Sequence, residues 1–68
     1  METFKIKGEY IKLNQLLKMM GWGSSGAESN AIIESGMVKV NGQTELRKRN
    51  KLLAGTKVEF NNQIVMIE

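Results

Sequence analysis

The hydrophobic residues of this chain change period twice, and that change limits the fold more than any other feature of the sequence. Thr3-Phe4-Lys5-Ile6-Lys7 alternates, with Phe4 and Ile6 on one side and Lys5 and Lys7 on the other, as in a half-buried strand. Gly8 interrupts it. From about Tyr10 the spacing lengthens: Leu13, Leu16, Leu17 and Met20 fall at i, i+3, i+4 and i+7, with Lys12, Asn14, Gln15 and Lys18 opposite. That spacing predicts an amphipathic helix of about three turns, ending at Gly21. Beyond Gly36 the alternation returns.

Gly21-Trp22-Gly23-Ser24-Ser25-Gly26 is too glycine-rich to continue a helix and reads as a turn. Ser24 or Ser25 can cap a second helix over about Ser25 to Ser35, with Glu28 placed for a capping box or for the helix dipole. Ala27, Ala31, Ile32 and Ile33 are expected to form its buried stripe, and Gly36 its stop. Val38 and Val40 then alternate with Met37 and Lys39, and Asn41-Gly42 suits both positive-φ positions of a type I′ hairpin, with a return strand over about Gln43 to Glu45. Arg47-Lys48-Arg49-Asn50-Lys51 follows no helix or strand period. Leu52-Leu53 anchors the chain, Ala54-Gly55 turns it, Val58 and Phe60 alternate with Lys57 and Glu59, and Asn61-Asn62 turns into a closing strand over Gln63 to Ile67. The order is strand, helix, helix, then a meander of about four short strands. It predicts an α+β fold with two helices packed on a small, mostly antiparallel sheet. Met19, Met20, Met37 and Met66 suit irregular gaps in its core.

At 68 residues the expectation is one domain, 1–68, which buries only about 60% of the surface its unfolded chain exposes. The chain contains no Cys and no His, and all seven acids are Glu. A thiol nucleophile, an imidazole base and a zinc finger are therefore excluded, and no enzyme activity, metal or cofactor is expected. The absence of disulfides and of a long apolar run points to a cytoplasmic, soluble chain with no membrane contact. A net charge of +3 favours an acidic partner if the cations cluster.

They do cluster. Arg47, Lys48, Arg49 and Lys51 place four cations within five residues, between a hairpin and a hydrophobic anchor. Their two arginines offer planar forks that suit phosphate. Lys39 on the hairpin and Lys12 and Lys18 on the first helix can extend the patch. Gly21, Gly23 and Gly26 spell G-x-G-x-x-G, but a helix precedes them where a dinucleotide site needs a strand, and no βαβ unit follows. What survives is a choice between a plain cap and a phosphate contact at Ser25 and the Gly26 amide. Trp22 either packs against a helix end or stacks on a base. With Tyr10, Phe4 and Phe60 the only other aromatics, a multi-base stacking platform is not supported.

Taken together, the signals from Ile11 to Phe60 resemble the S-four RNA-binding domain, also called the alpha-L motif. The first-helix pattern Arg-Leu-Asp-x-x-Leu is matched by Lys12-Leu13-Asn14-Gln15-Leu16-Leu17. The second-helix start near Ser-Arg is matched by Ser25-Gly26, and its end by Ile32-Ile33-Glu34-Ser35-Gly36. The hairpin is Val38-Lys39-Val40-Asn41-Gly42, and the later Lys-Leu-x-x-Gly motif is Lys51-Leu52-Leu53-Ala54-Gly55. The family's second-helix arginines are replaced by Gly26, Asn30 and Ala31, and its first-helix Arg and Asp by Lys12 and Asn14. The pattern Ser25-Gly26-Ala27 followed by Arg47-Lys48-Arg49-Asn50-Lys51 instead resembles the short stand-alone members, YaaA-like or YbcJ-like. The resemblance implies a non-catalytic, monomeric domain that docks on structured RNA, with ribosomal RNA during subunit assembly as the implied partner and no small-molecule substrate. The residues expected to bind are Lys12, Ser25, Gly26, Lys39, Asn41, Arg47, Lys48, Arg49 and Lys51. An acidic protein docking on the basic loop is the alternative. A duplex-DNA reader is disfavoured, because the second helix offers only Ser29 and Asn30 on its polar side.

Overall fold

The computed structural model describes residues 2–68. Strands β1 (Glu2–Phe4) and β2 (Ile11–Lys12) precede helices α1 (Leu13–Met19) and α2 (Gly26–Glu34). Strands β3 (Val38–Val40), β4 (Gln43–Thr44), β5 (Lys51–Leu52), β6 (Lys57–Phe60) and β7 (Gln63–Ile67) follow. Five of the strands form one sheet in the order β1-β7-β6-β3-β4, while β2 and β5 form a separate ladder. β1 runs parallel to β7 and the other pairs are antiparallel. This is the expected α+β architecture, two helices on a mostly antiparallel sheet.

The strand order is not a simple meander. β3 pairs with β4 on one side and β6 on the other, so the chain leaves the sheet after β4 and returns across β3. Side-chain direction explains it. Val38 and Val40 point into the core and are in register with Phe60 and Val58, whereas both residues of β4 are exposed and suit an edge. Asn41 and Gly42 take φ of 51° and 85°, as the hairpin requires, and Asn61 and Asn62 repeat the device at 51° and 64°.

The buried cluster joins Leu13, Leu16 and Leu17 of α1 and Ile33 of α2 to Val38, Val58, Val65 and Ile67 of the sheet, with Leu52 from β5. Three expectations are corrected here. α1 starts later than Tyr10, because Ile11 and Lys12 are drawn into the ladder with Leu52 and Lys51. On α2 the inward residues are Ser29 and Ile33, with Ile32 half-buried, while Ala27 and Ala31 are exposed. The turn forces this choice: Gly23 lies so close to Ser29 that a Cβ there would stand 3.0 Å from the Ser29 backbone nitrogen. A small residue is needed on both sides of that contact. Met19 and Met37 are exposed rather than packed, and Leu53 is exposed where Leu52 is buried.

Trp22 packs. Its Nε1 donates to Gln63 Oε1 at 2.6 Å, and its ring lies 5.5 Å from that of Phe60. Among the described residues no helix is long and apolar enough to cross a membrane.

Candidate functional site

Seven residues cannot satisfy their own first amides, so a helix as short as α1 needs acceptors from elsewhere. The chain after β4 supplies them. Leu13 N–H donates to the Asn50 carbonyl and Asn14 N–H to the Lys48 carbonyl, both at 2.9 Å, and Lys12 N–H donates to Gln15 Oε1 at 3.2 Å. The basic loop is thereby tied by its backbone to the start of α1, and the side chains of Arg49 and Lys51 remain exposed.

Glu45 fixes the other side of the loop. Its carboxylate, only 14% exposed, accepts from Arg47 N–H and Nε at 2.9 Å, and from Arg47 Nη2 and Asn50 Nδ2 at 3.1 Å. The Arg47 side chain, bonded to it and charged, holds the Glu45 carboxyl below the usual carboxylate range against the opposing effect of burial. The same bond raises Arg47 further above its ordinary value. Arg47 thus reaches solvent with one edge of its fork already engaged. Lys48 faces Glu34, the last residue of α2, at 3.5 Å.

Lys12, Arg49 and Lys51 have no such partner among the described residues. In the β2–β5 ladder Lys12 stands directly opposite Lys51, and Ile11 opposite the buried Leu52. Like charges so placed oppose pairing. Lys51 is partly compensated by Tyr10, whose ring centroid lies 5.0 Å from Nζ. Arg49 is exposed and forms no ion pair among the described residues. The start of α1, the ladder and the loop therefore assemble Lys12, Lys48, Arg49 and Lys51 on one end of the helix pair, with Arg47 beside them.

Ser25, Gly26, Lys39 and Asn41 stand elsewhere. The two helices are consecutive and in contact, and nine residues of α2, roughly 13 Å, separate Ser25 from the end that meets Lys48. Ser25 Oγ accepts from Glu28 N–H at 3.1 Å, while the Glu28 carboxylate accepts from the Ser24 amide and hydroxyl at 3.1 Å. An internal anion already occupies that helix start, and a phosphate there would meet it. Lys39 lies between the inward Val38 and Val40, on the sheet face turned from the helices, opposite Thr44 and Glu59. Asn41 is exposed and its side chain is engaged by the neighbouring strand, where Oδ1 accepts from Lys57 N–H at 2.9 Å. Sequence reasoning missed Glu45 and Tyr10. Glu45, two residues before Arg47, carried a usable signal; a two-residue ladder has no period to read.

The S4 domain family pattern matches residues 4–68. This chain belongs to the S4 domain family. YbcJ of Escherichia coli (strain K12), a protein provisionally named as RNA-binding, is 43% identical over 68 residues, covering 98% of this chain and 97% of its own. An uncharacterized YbcJ of Shigella flexneri is similar to the same extent. The solution structure of Escherichia coli YbcJ superposes with a TM-score of 0.72, covering 98% of this S4 domain and 86% of that chain. It is described as revealing an alfaL motif involved in RNA binding. The expected fold and family are thus those found.

Proposed function

We propose that this S4 domain binds structured RNA without catalysing a reaction, through Lys12, Lys48, Arg49 and Lys51 with the free edge of Arg47. The observation that carries the reading is the convergence of Lys12, Arg49 and Lys51, three cations without acidic partners among the described residues, on one rigidly tied end of the helix pair. The RNA-binding descriptions given to the YbcJ relatives support it. Among the described residues no three acids cluster as a metal site. A-form RNA hides its base edges in a deep major groove, so a small basic surface without an aromatic sheet reads phosphate spacing, 2′-hydroxyls and shape. We extend the reading, on the family resemblance, to ribosomal RNA met during subunit assembly by a monomeric, cytoplasmic domain.

The test is salt dependence. With about five phosphates neutralised, log affinity falls with log salt at a slope of about −3.5 to −4.5, and Arg49→Ala with Lys51→Ala makes it shallower by about 1.4 to 1.8. At about 0.1 M salt the same pair of changes weakens binding roughly 25- to 60-fold. Unchanged affinity in the double variant, with a specific protein retained after nuclease treatment, would replace RNA by an acidic protein partner.

A further inference from the structure

A groove of about 410 Å³ lies between the N-terminal segment and α1. Phe4, Ile6, Tyr10 and Met19 give it an apolar lining, and Lys5 and Lys7 line it as well. Two of these residues are exposed against their chemistry: Tyr10 at 40% and Met19 at 68%. No acid lines the groove, and neither Lys5 nor Lys7 has an ion-pair partner among the described residues. Gln15 also lines it. Its Oε1 is taken by the Lys12 amide, so its NH2 group is the part free to donate.

The groove is continuous with the basic surface. Tyr10 belongs to its wall and also carries Lys51 Nζ 5.0 Å from its ring centroid, so one residue joins the apolar cavity to the charged ladder. The lining therefore suits an occupant with an apolar face, a hydrogen-bond acceptor for Gln15 and negative charge close by. We propose that the groove receives one unpaired nucleobase of the bound RNA, set against Tyr10 and Met19, with its flanking phosphates on Lys5, Lys7 and Lys51. This rests on the RNA reading and adds to it a preference for a bulged or looped nucleotide beside a duplex. A multi-aromatic platform is not needed, because a single extrahelical base needs only one ring and an apolar wall.

Two RNA hairpins decide it, one fully paired and one bearing a single extrahelical 2-aminopurine, titrated against the wild-type chain, Tyr10→Ala, Lys5→Ala/Lys7→Ala and Arg49→Ala. The wild type is expected to bind the bulged hairpin about tenfold more tightly and to quench its fluorescence. Tyr10→Ala removes both the preference and the quenching, and the lysine pair reduces the preference. Arg49→Ala weakens both hairpins alike. Equal wild-type affinity for the two hairpins, or an equal loss for both in Tyr10→Ala, overturns the groove assignment while the Arg49→Ala effect keeps the RNA reading intact. Failure of either hairpin to bind in a salt-dependent way removes both. Tyr10 is exposed and sits before the first core leucine, so its truncation leaves the buried cluster in place.

Discussion

The two ends of the helix pair are built from the same few kinds of interaction and reach opposite electrostatic states. At one end the first amides of α1 are satisfied by neutral loop carbonyls, and the surrounding side chains are Lys12, Lys48, Arg49 and Lys51. At the other end the Glu28 amide in the first turn of α2 is served by Ser25 Oγ, and the Glu28 carboxylate closes over Ser24. The glycine-serine turn spends its polar groups on itself. The basic loop uses its backbone, Asn50 and one edge of Arg47, with Lys48 set against Glu34, and leaves Arg49 and Lys51 without an acidic partner among the described residues. A segment available to a polyanion is one whose internal hydrogen bonds leave some of its charged groups unused.

The largest effect that can break this comparison lies in the turn. Gly23→Ala drives a methyl into the Ser29 backbone, and we expect a loss of about 3 kcal/mol, seen as a collapse of the urea midpoint in a chain whose whole stability is about 3 to 5 kcal/mol. If Gly23→Ala melts like the wild type, the turn is not the packed element described.

Ser25→Ala comes next. Loss of the cap is expected to lower stability by about 1 kcal/mol while leaving RNA affinity unchanged under conditions where the protein is folded. A fall in affinity at unchanged stability would return the α2 start to the interface and make the two ends alike.

The smallest effect is that of pH on the loop. The folded Glu45 carboxyl lies below its ordinary value of about 4.3, so its contribution is fully present above that pH and is lost as pH falls through the lower, folded value. Urea melts from pH 6 downward should show this loss only in the acid limb, and Glu45→Gln should flatten that limb. An unchanged limb in the variant would mean that Glu45 does not hold the loop.

Much of the fold was legible because it rests on period. The Leu13-Leu16-Leu17 stripe, the Val38-Lys39-Val40-Asn41-Gly42 hairpin and the Gln63–Ile67 strand each repeat a spacing that only one local structure buries. What escaped rests on contacts between segments far apart in sequence. Two residues of β2 meeting two of β5 leave no periodic trace, and Ser29 faces the core because Gly23 lies against it. The cations were visible as a run, but their availability was not. That depends on Glu45 and Glu34, which lie outside the run and engage Arg47 and Lys48 while leaving Arg49 and Lys51 unmatched among the described residues.

The facing lysines of the short ladder couple occupancy to folding. Lys12 and Lys51 repel each other across β2 and β5, which pin the start of α1 to the chain before β6. An anion between them removes the repulsion, so a ligand bound there is also a brace for the helix it adjoins. By mass action, RNA held at a hundred times its dissociation constant would add about 2.7 kcal/mol to a fold of this size. A melting temperature measured on the bare chain would then describe the molecule without its counter-charge.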